Sequence, residues 1–143
     1  IQGLETVSLR MEKHCSNAAK VAEYLSNHNK VSRVIYAGLD EGEAGERANK
    51  YLKGGHGALC GIELKGGKAS GEKFINNLNM FYHVANIGDA RSLAIHPAST
   101  THSQLSDEDM ESAGVNPSYV RLSIGIEHID DIIEDLKNAL DAA

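Results

Sequence analysis

Apolar residues recur at steps of three and four near the start of the chain: Leu4, Val7, Met11, Cys15, Ala18, Ala22 and Leu25. Such spacing places one stripe on a long amphipathic helix and predicts that this stripe is its buried face. Asn27-His28-Asn29 ends the helix, and the β-branched run Val31 to Tyr36 predicts a strand. A turn at Gly38 leads into a polar helix over Glu43 to Leu52, and Gly54-Gly55-His56-Gly57 breaks the chain before a second strand, Ala58 to Leu64. After the Gly66-Gly67 turn, Ala69 to Leu78 reads as a helix with Phe74, Ile75 and Leu78 on its apolar face.

The second half is more broken. Phe81 to Ala85 predicts a short strand or edge segment, Asn86-Ile87-Gly88 a turn, and Ser92 to Ile95 another strand. His96 to Ser106 reads as a long polar loop. Ser106-Asp107-Glu108-Asp109 has the form of a helix start, with the helix stopping at Gly114. Val120 to Ile126 predicts the last strand, and Ile129, Ile132, Ile133, Leu136 and Leu140 mark a closing helix. The order predicts one α+β domain spanning residues 1–143, a mostly antiparallel sheet with helices packed on one face.

One charge interrupts the last strand. In Val120-Arg121-Leu122-Ser123-Ile124-Gly125-Ile126, alternation puts Arg121, Ser123 and Gly125 on one face and the apolar residues on the other. The apolar set faces the helices, so Arg121 faces away. If water covers that face, Arg121 is a solvated arginine, paired or not with an acid. If another domain covers it, the guanidinium needs an anion, and its planar fork suits a carboxylate. The residues alone leave both readings open.

The bulk numbers remove some classes. The net charge is −6 over 143 residues. Such a balance argues against a nucleic-acid or anionic-membrane surface, since phosphate binding needs a basic patch. No apolar run is long enough to span a bilayer. Cys15 and Cys60 are expected to be reduced packing residues in a cytoplasmic protein. His96 and His102 lie six apart, but no cysteine or carboxylate cluster completes a metal set, and a polar loop stiffened by Pro97 is the simpler reading. His128 reads as a surface or capping residue. The glycines near His56 lack the following Lys-Ser/Thr of a phosphate loop. The chain opens without Met, inside a helical pattern, and is expected to be a piece of a longer one.

Four stretches carry a resemblance: GLETVSLRMEKHCSNAAKVAEYL, GGHGALCGIELKGG, ANIGDARSLAIHPASTTHSQLS and YVRLSIGIEHIDDIIEDLKNAL. Together they resemble the C-terminal part of the Cys/Met-metabolism pyridoxal-phosphate enzymes, nearest to those members that act on O-acetyl-L-homoserine. The resemblance implies a small C-terminal domain of a cytoplasmic homotetrameric enzyme. A large N-terminal domain, absent here, would carry pyridoxal 5'-phosphate, an electron sink for carbanions. The implied reaction exchanges the acetoxy group of O-acetylhomoserine for sulfide or methanethiol, giving homocysteine or methionine and acetate. This piece alone is expected to be inactive.

By the same resemblance, Arg121 matches the arginine that binds the substrate α-carboxylate. Asn86 stands where relatives often carry serine, beside that carboxylate, and Thr101 matches a threonine that holds the loop near the site. Ser92 is given a structural role only. No residue of this chain is expected to be catalytic, to bind the cofactor or to ligate a metal. Two readings of other classes compete. One is a free-standing regulatory module that binds an amino acid through Arg121, and the other is an interaction domain with no ligand.

Overall fold

The computed structural model describes residues 1–143, the side chains of Asp107 and Glu111 apart. A short helix α1 (Gln2–Glu5) leads into the long α2 (Val7–Ser26). Then come β1 (Val31–Ile35), α3 (Gly42–Tyr51), β2 (Leu59–Leu64), α4 (Gly67–Asn77), β3 (Tyr82–His83) and β4 (Leu93–Ile95). A 3-10 turn (Pro97–Ser99), α5 (Asp107–Ser112), β5 (Tyr119–Ser123) and α6 (Ile129–Ala142) complete the chain. No helix among the described residues is long and apolar enough to cross a membrane.

The sheet runs in the order β1-β2-β5-β4-β3. The β1–β2, β2–β5 and β5–β4 pairs are antiparallel, and only the two-residue edge strand β3 pairs in parallel, with β4. Val120, Leu122 and Ile124 enter one core with Ala18, Val21, Ala22 and Leu25 of α2, Phe74 and Ile75 of α4, and Ile132, Leu136 and Leu140 of α6. The α+β reading with helices against one sheet face holds, because alternation in β5 directs every second residue into that layer.

Side chains cap the N-terminal ends of α5 and α6. Ser106 Oγ accepts from Asp109 N at 3.2 Å at the start of α5, and Gly114, at φ 73°, ends the segment. His128 stands at the N-cap of α6 and accepts from Asp130 N, so its capping role holds. Asp135 of α6, nearly buried, accepts three main-chain N–H groups, from Asn79, Met80 and Phe81, at 2.9 to 3.3 Å. That one carboxylate ties the exit of α4 to α6.

The first helix departs from its predicted face. Leu4, Val7 and Met11 are exposed, and the buried positions of α2 are His14, Asn17, Ala18, Val21, Ala22 and Leu25. Two polar side chains are buried because each finds a main-chain partner. His14 Nδ1 lies 2.6 Å from the Ile124 carbonyl and donates to it, and Asn17 Nδ2 donates to the carbonyls of Gly125 and Glu127 at 3.0 and 2.9 Å. The helix is thus bonded to the chain after β5 through His14 and Asn17, while its first turns stand outside the core.

Candidate functional site

Arg121 sits in the middle of β5, opposite Gly61 of β2 and Ile95 of β4, on the face turned away from α2, α4 and α6. It is partly buried, and Nη2 donates to the main-chain carbonyl of Asn86 at 3.3 Å. No carboxylate lies within ion-pair distance of it among the described residues. Glu63, on the same face of β2, pairs with Arg33 instead, at 3.7 Å. The guanidinium is thus held from one side by a neutral acceptor, with donors left over for an anion.

Tyr119, two residues earlier, occupies the same face. Its ring lies over Gly61 so closely that a Cβ on Gly61 would collide with it. Gly61 therefore makes room for an aromatic wall next to Arg121. Burial raises the Tyr119 phenol above its ordinary range, while the nearby Arg121 charge pulls it back.

The loop between β3 and β4 brings Asn86 to the arginine. Its carbonyl takes the guanidinium, and its own Oδ1 accepts from Ile87 N at 2.9 Å, a local turn. The Nδ2 amide has no partner among the described residues. Gly88 N, at φ 76°, donates to Ser123 Oγ at 3.3 Å, which pins the turn onto β5. Farther on, Arg91 stacks on the Tyr82 ring at 4.3 Å and pairs with Asp89. The Arg91 main-chain N–H, 2.9 Å from Oδ1, holds the Asp89 carboxyl below its usual range.

Thr101 is not brought to this cluster by any hydrogen bond. It is exposed after the 3-10 turn, with Oγ1 2.9 Å from His102 Nδ1. Thr100, one residue earlier, bonds back to the His96 carbonyl at 2.8 Å. His96 is fully buried, not a loop residue in water. Its Nε2 donates to the Pro117 carbonyl at 2.8 Å, its Nδ1 meets Ser99 Oγ, and a Cβ on Gly71 of α4 would collide with the ring. This histidine ties the turn after β4 to the approach to β5 and packs against α4. No group of three or more metal-ligating side chains occurs among the described residues.

The residues missed from the sequence are Ser123, Tyr119, Gly61 and Glu127. Glu127 takes Ser92 with both oxygens: Oε1 from Ser92 N at 2.6 Å and Oε2 from Ser92 Oγ at 3.0 Å. Glu127 lies past the end of β5, where strand alternation no longer points to a face, so the sequence pattern carried no signal for it.

A family model for Cys/Met metabolism PLP-dependent enzymes matches residues 1–141. An O-acetyl-L-homoserine sulfhydrylase of Leptospira meyeri is 54% identical over 141 residues, 98% of this chain and 32% of that protein. An L-methionine gamma-lyase of Fusobacterium nucleatum subsp. polymorphum is 44% identical over 141 residues, 99% of this chain and 35% of that protein. A crystal structure described as an O-acetylhomoserine (thiol)-lyase from Campylobacter jejuni, with N'-pyridoxyl-lysine-5'-monophosphate at position 205, superposes with a TM-score of 0.88 at 42% identity. It is matched over 98% of this chain and 33% of its own. The chain spans about a third of the length of the curated relatives it matches. With the family pattern extending over residues 1–141 and the fold in agreement, this chain belongs to the Cys/Met metabolism PLP-dependent enzymes.

Proposed function

We propose that these residues form the small C-terminal domain of a longer PLP-dependent enzyme, and that Arg121 binds the α-carboxylate of its amino-acid substrate. One observation carries the reading. Arg121 stands on the sheet face away from the helices, braced by the Asn86 carbonyl and free of any described carboxylate. A guanidinium so placed presents parallel N–H donors in the geometry a carboxylate accepts, and a domain closing over that face would strengthen the pair by excluding water. Asn86 Nδ2 is a second donor for the same carboxylate, and Thr101 stiffens the loop that flanks the site.

These residues do not fit a cofactor-holding role. Among the lysines, Lys30 caps the C-terminal turn of α6, Lys53 bonds the Asn49 carbonyl, Lys65 the Asn29 carbonyl, and none stands beside Arg121 on its strand or the paired strands. The Gly54 to Gly57 segment leads into β2, not into a helix N-terminus that would cradle a phosphate. Pyridoxal 5'-phosphate would be held by chain beyond these residues, and this piece alone would bind it weakly and turn nothing over.

For the substrate we propose O-acetyl-L-homoserine with sulfide or methanethiol, in a cytoplasmic homo-oligomer. The higher identity to the sulfhydrylase than to the γ-lyase supports that choice. Steady-state assays of the full-length enzyme test it. Homocysteine formed from O-acetylhomoserine and sulfide, outpacing 2-oxobutanoate release from methionine, is the expected result. The reverse order would overturn the choice of substrate but not the clamp.

A further inference from the structure

The loop that meets Arg121 is exposed from Val84 to Gly88, after the equally exposed edge strand β3. Something must fix the Asn86 carbonyl where the guanidinium can use it. We propose that Glu127 is that positioning residue, acting on Arg121 through Ser92 and the 86–91 loop. The inference rests on Arg121 being the carboxylate clamp.

The geometry runs as a chain of short contacts. Glu127 spends both carboxylate oxygens on Ser92, at 2.6 and 3.0 Å, and Ser92 Oγ accepts from Gly125 N at 2.9 Å. Ile126 N donates to the Ala90 carbonyl at 2.9 Å. The loop and the exit of β5 are thereby laced together over 90–92 and 125–127. Gly125 is part of the lacing, because a Cβ there would collide with Glu127 Oε2, Ser92 N and the Ala90 carbonyl. From the other side Asn17 of α2 holds the carbonyls of Gly125 and Glu127. The carboxylate is therefore anchored to the core by its main chain and to the loop by its side chain.

Glu127 has no cationic partner among the described residues, so its charge goes into the two bonds to Ser92. Charge-assisted bonds of this kind are about twice as strong as neutral ones. Four residues before Ser92, the turn is pinned again by Gly88 N on Ser123 Oγ. The Asn86 carbonyl lies two residues beyond the Gly88 fastening, so both fastenings set where the turn begins, and only the Glu127 fastening carries a charge.

The test is kinetic, on the full-length enzyme loaded with pyridoxal phosphate, with Arg121→Ala, Glu127→Ala, Glu127→Gln, Ser92→Ala and the Arg121→Ala/Glu127→Ala double variant. Losing a hydrogen bond to a charged group weakens binding by roughly ten- to a hundredfold. Glu127→Ala is therefore expected to raise KM for the amino-acid substrate by roughly ten- to a hundredfold, with a much smaller change in kcat. Glu127→Gln keeps one acceptor oxygen and restores most of the loss. In the Arg121→Ala background, Glu127→Ala adds less than about twofold, as residues acting through one another are non-additive. Should Glu127→Ala fail to fold, Ser92→Ala takes its place, with the same non-additivity expected. An unchanged KM in the single variant, or full additivity in the double, overturns the inference while leaving the clamp. An unchanged KM in Arg121→Ala overturns the clamp and the inference together.

Discussion

Arg121 Nη2 donates to the Asn86 main-chain carbonyl at 3.3 Å, joining the middle of β5 to a turn thirty-five residues earlier in the chain. The bond orients the guanidinium without neutralising it, since a carbonyl carries no net charge. Among the described residues Arg121 thus has no carboxylate partner, whereas Arg33 on the same face pairs with Glu63.

The tight contact of Gly125 gives a stability prediction. Gly125→Ala sets a methyl against Glu127 Oε2 and two main-chain groups that cannot rotate away. Overpacking of this kind costs about 1–3 kcal/mol. A urea titration of the variant should show a lower midpoint with little change in slope.

Gly61→Ala tests the aromatic wall. The added methyl meets the Tyr119 ring, which is a side chain and can move. Destabilisation of about 1–3 kcal/mol is expected, and Tyr119→Ala should suppress part of it. A double-variant cycle measured by thermal unfolding reads the coupling, and strict additivity would mean that the ring is not what the methyl meets.

Asp135 serves three main-chain donors at once. Asp135→Ala leaves buried N–H groups without an acceptor and should cost about 1–3 kcal/mol. Asp135→Asn keeps one oxygen and should cost less. Hydrogen exchange at Asn79, Met80 and Phe81 should rise in the alanine variant before global unfolding.

Cys60 predicts an alkaline limit. Burial pushes its thiol from 9.0 up to about 12. Between those values the unfolded chain loses a proton that the folded chain keeps, so stability falls as pH rises above about 9 and the loss levels off near 12, at up to about 1.4 kcal/mol per pH unit. Buried tyrosines add to the same trend, so the comparison is with Cys60→Ala. The wild-type advantage over that variant should shrink between pH 9 and 11. The thiol should resist alkylation until the protein unfolds, while the partly exposed Cys15 reacts first.

How far these features could be read beforehand depends on whether a partner was local. The alternation in Val120 to Ile126 and the stripe of Ile129 to Leu140 both report a face that meets the core, and both faces are where the pattern puts them. The stripe of Leu4, Val7 and Met11 obeys the same spacing yet is exposed. Spacing identifies a face but not what covers it. His14 and Asn17 are buried in its stead because their partners lie more than a hundred residues away, at 124 to 127. Distance in sequence likewise hid the Glu127–Ser92 bonds and the burial of His96. At the candidate site, the face that Arg121 takes was legible from the alternation of its strand, while what it holds was not. The resemblance set Asn86 beside a substrate carboxylate, but neither its carbonyl bond to Arg121 nor the lack of a described bond from Thr101 to either was foreseen.

The central claim concerns what Arg121 holds. The most direct measurement is KM for O-acetyl-L-homoserine in the full-length enzyme carrying Arg121→Ala, with kcat measured alongside. Losing one partner of a desolvated charge pair costs on the order of 2–5 kcal/mol, so KM should rise by roughly thirtyfold or more. Arg121→Lys should recover only part of it, since an ammonium lacks the fork. A KM equal to that of the wild type would contradict the account.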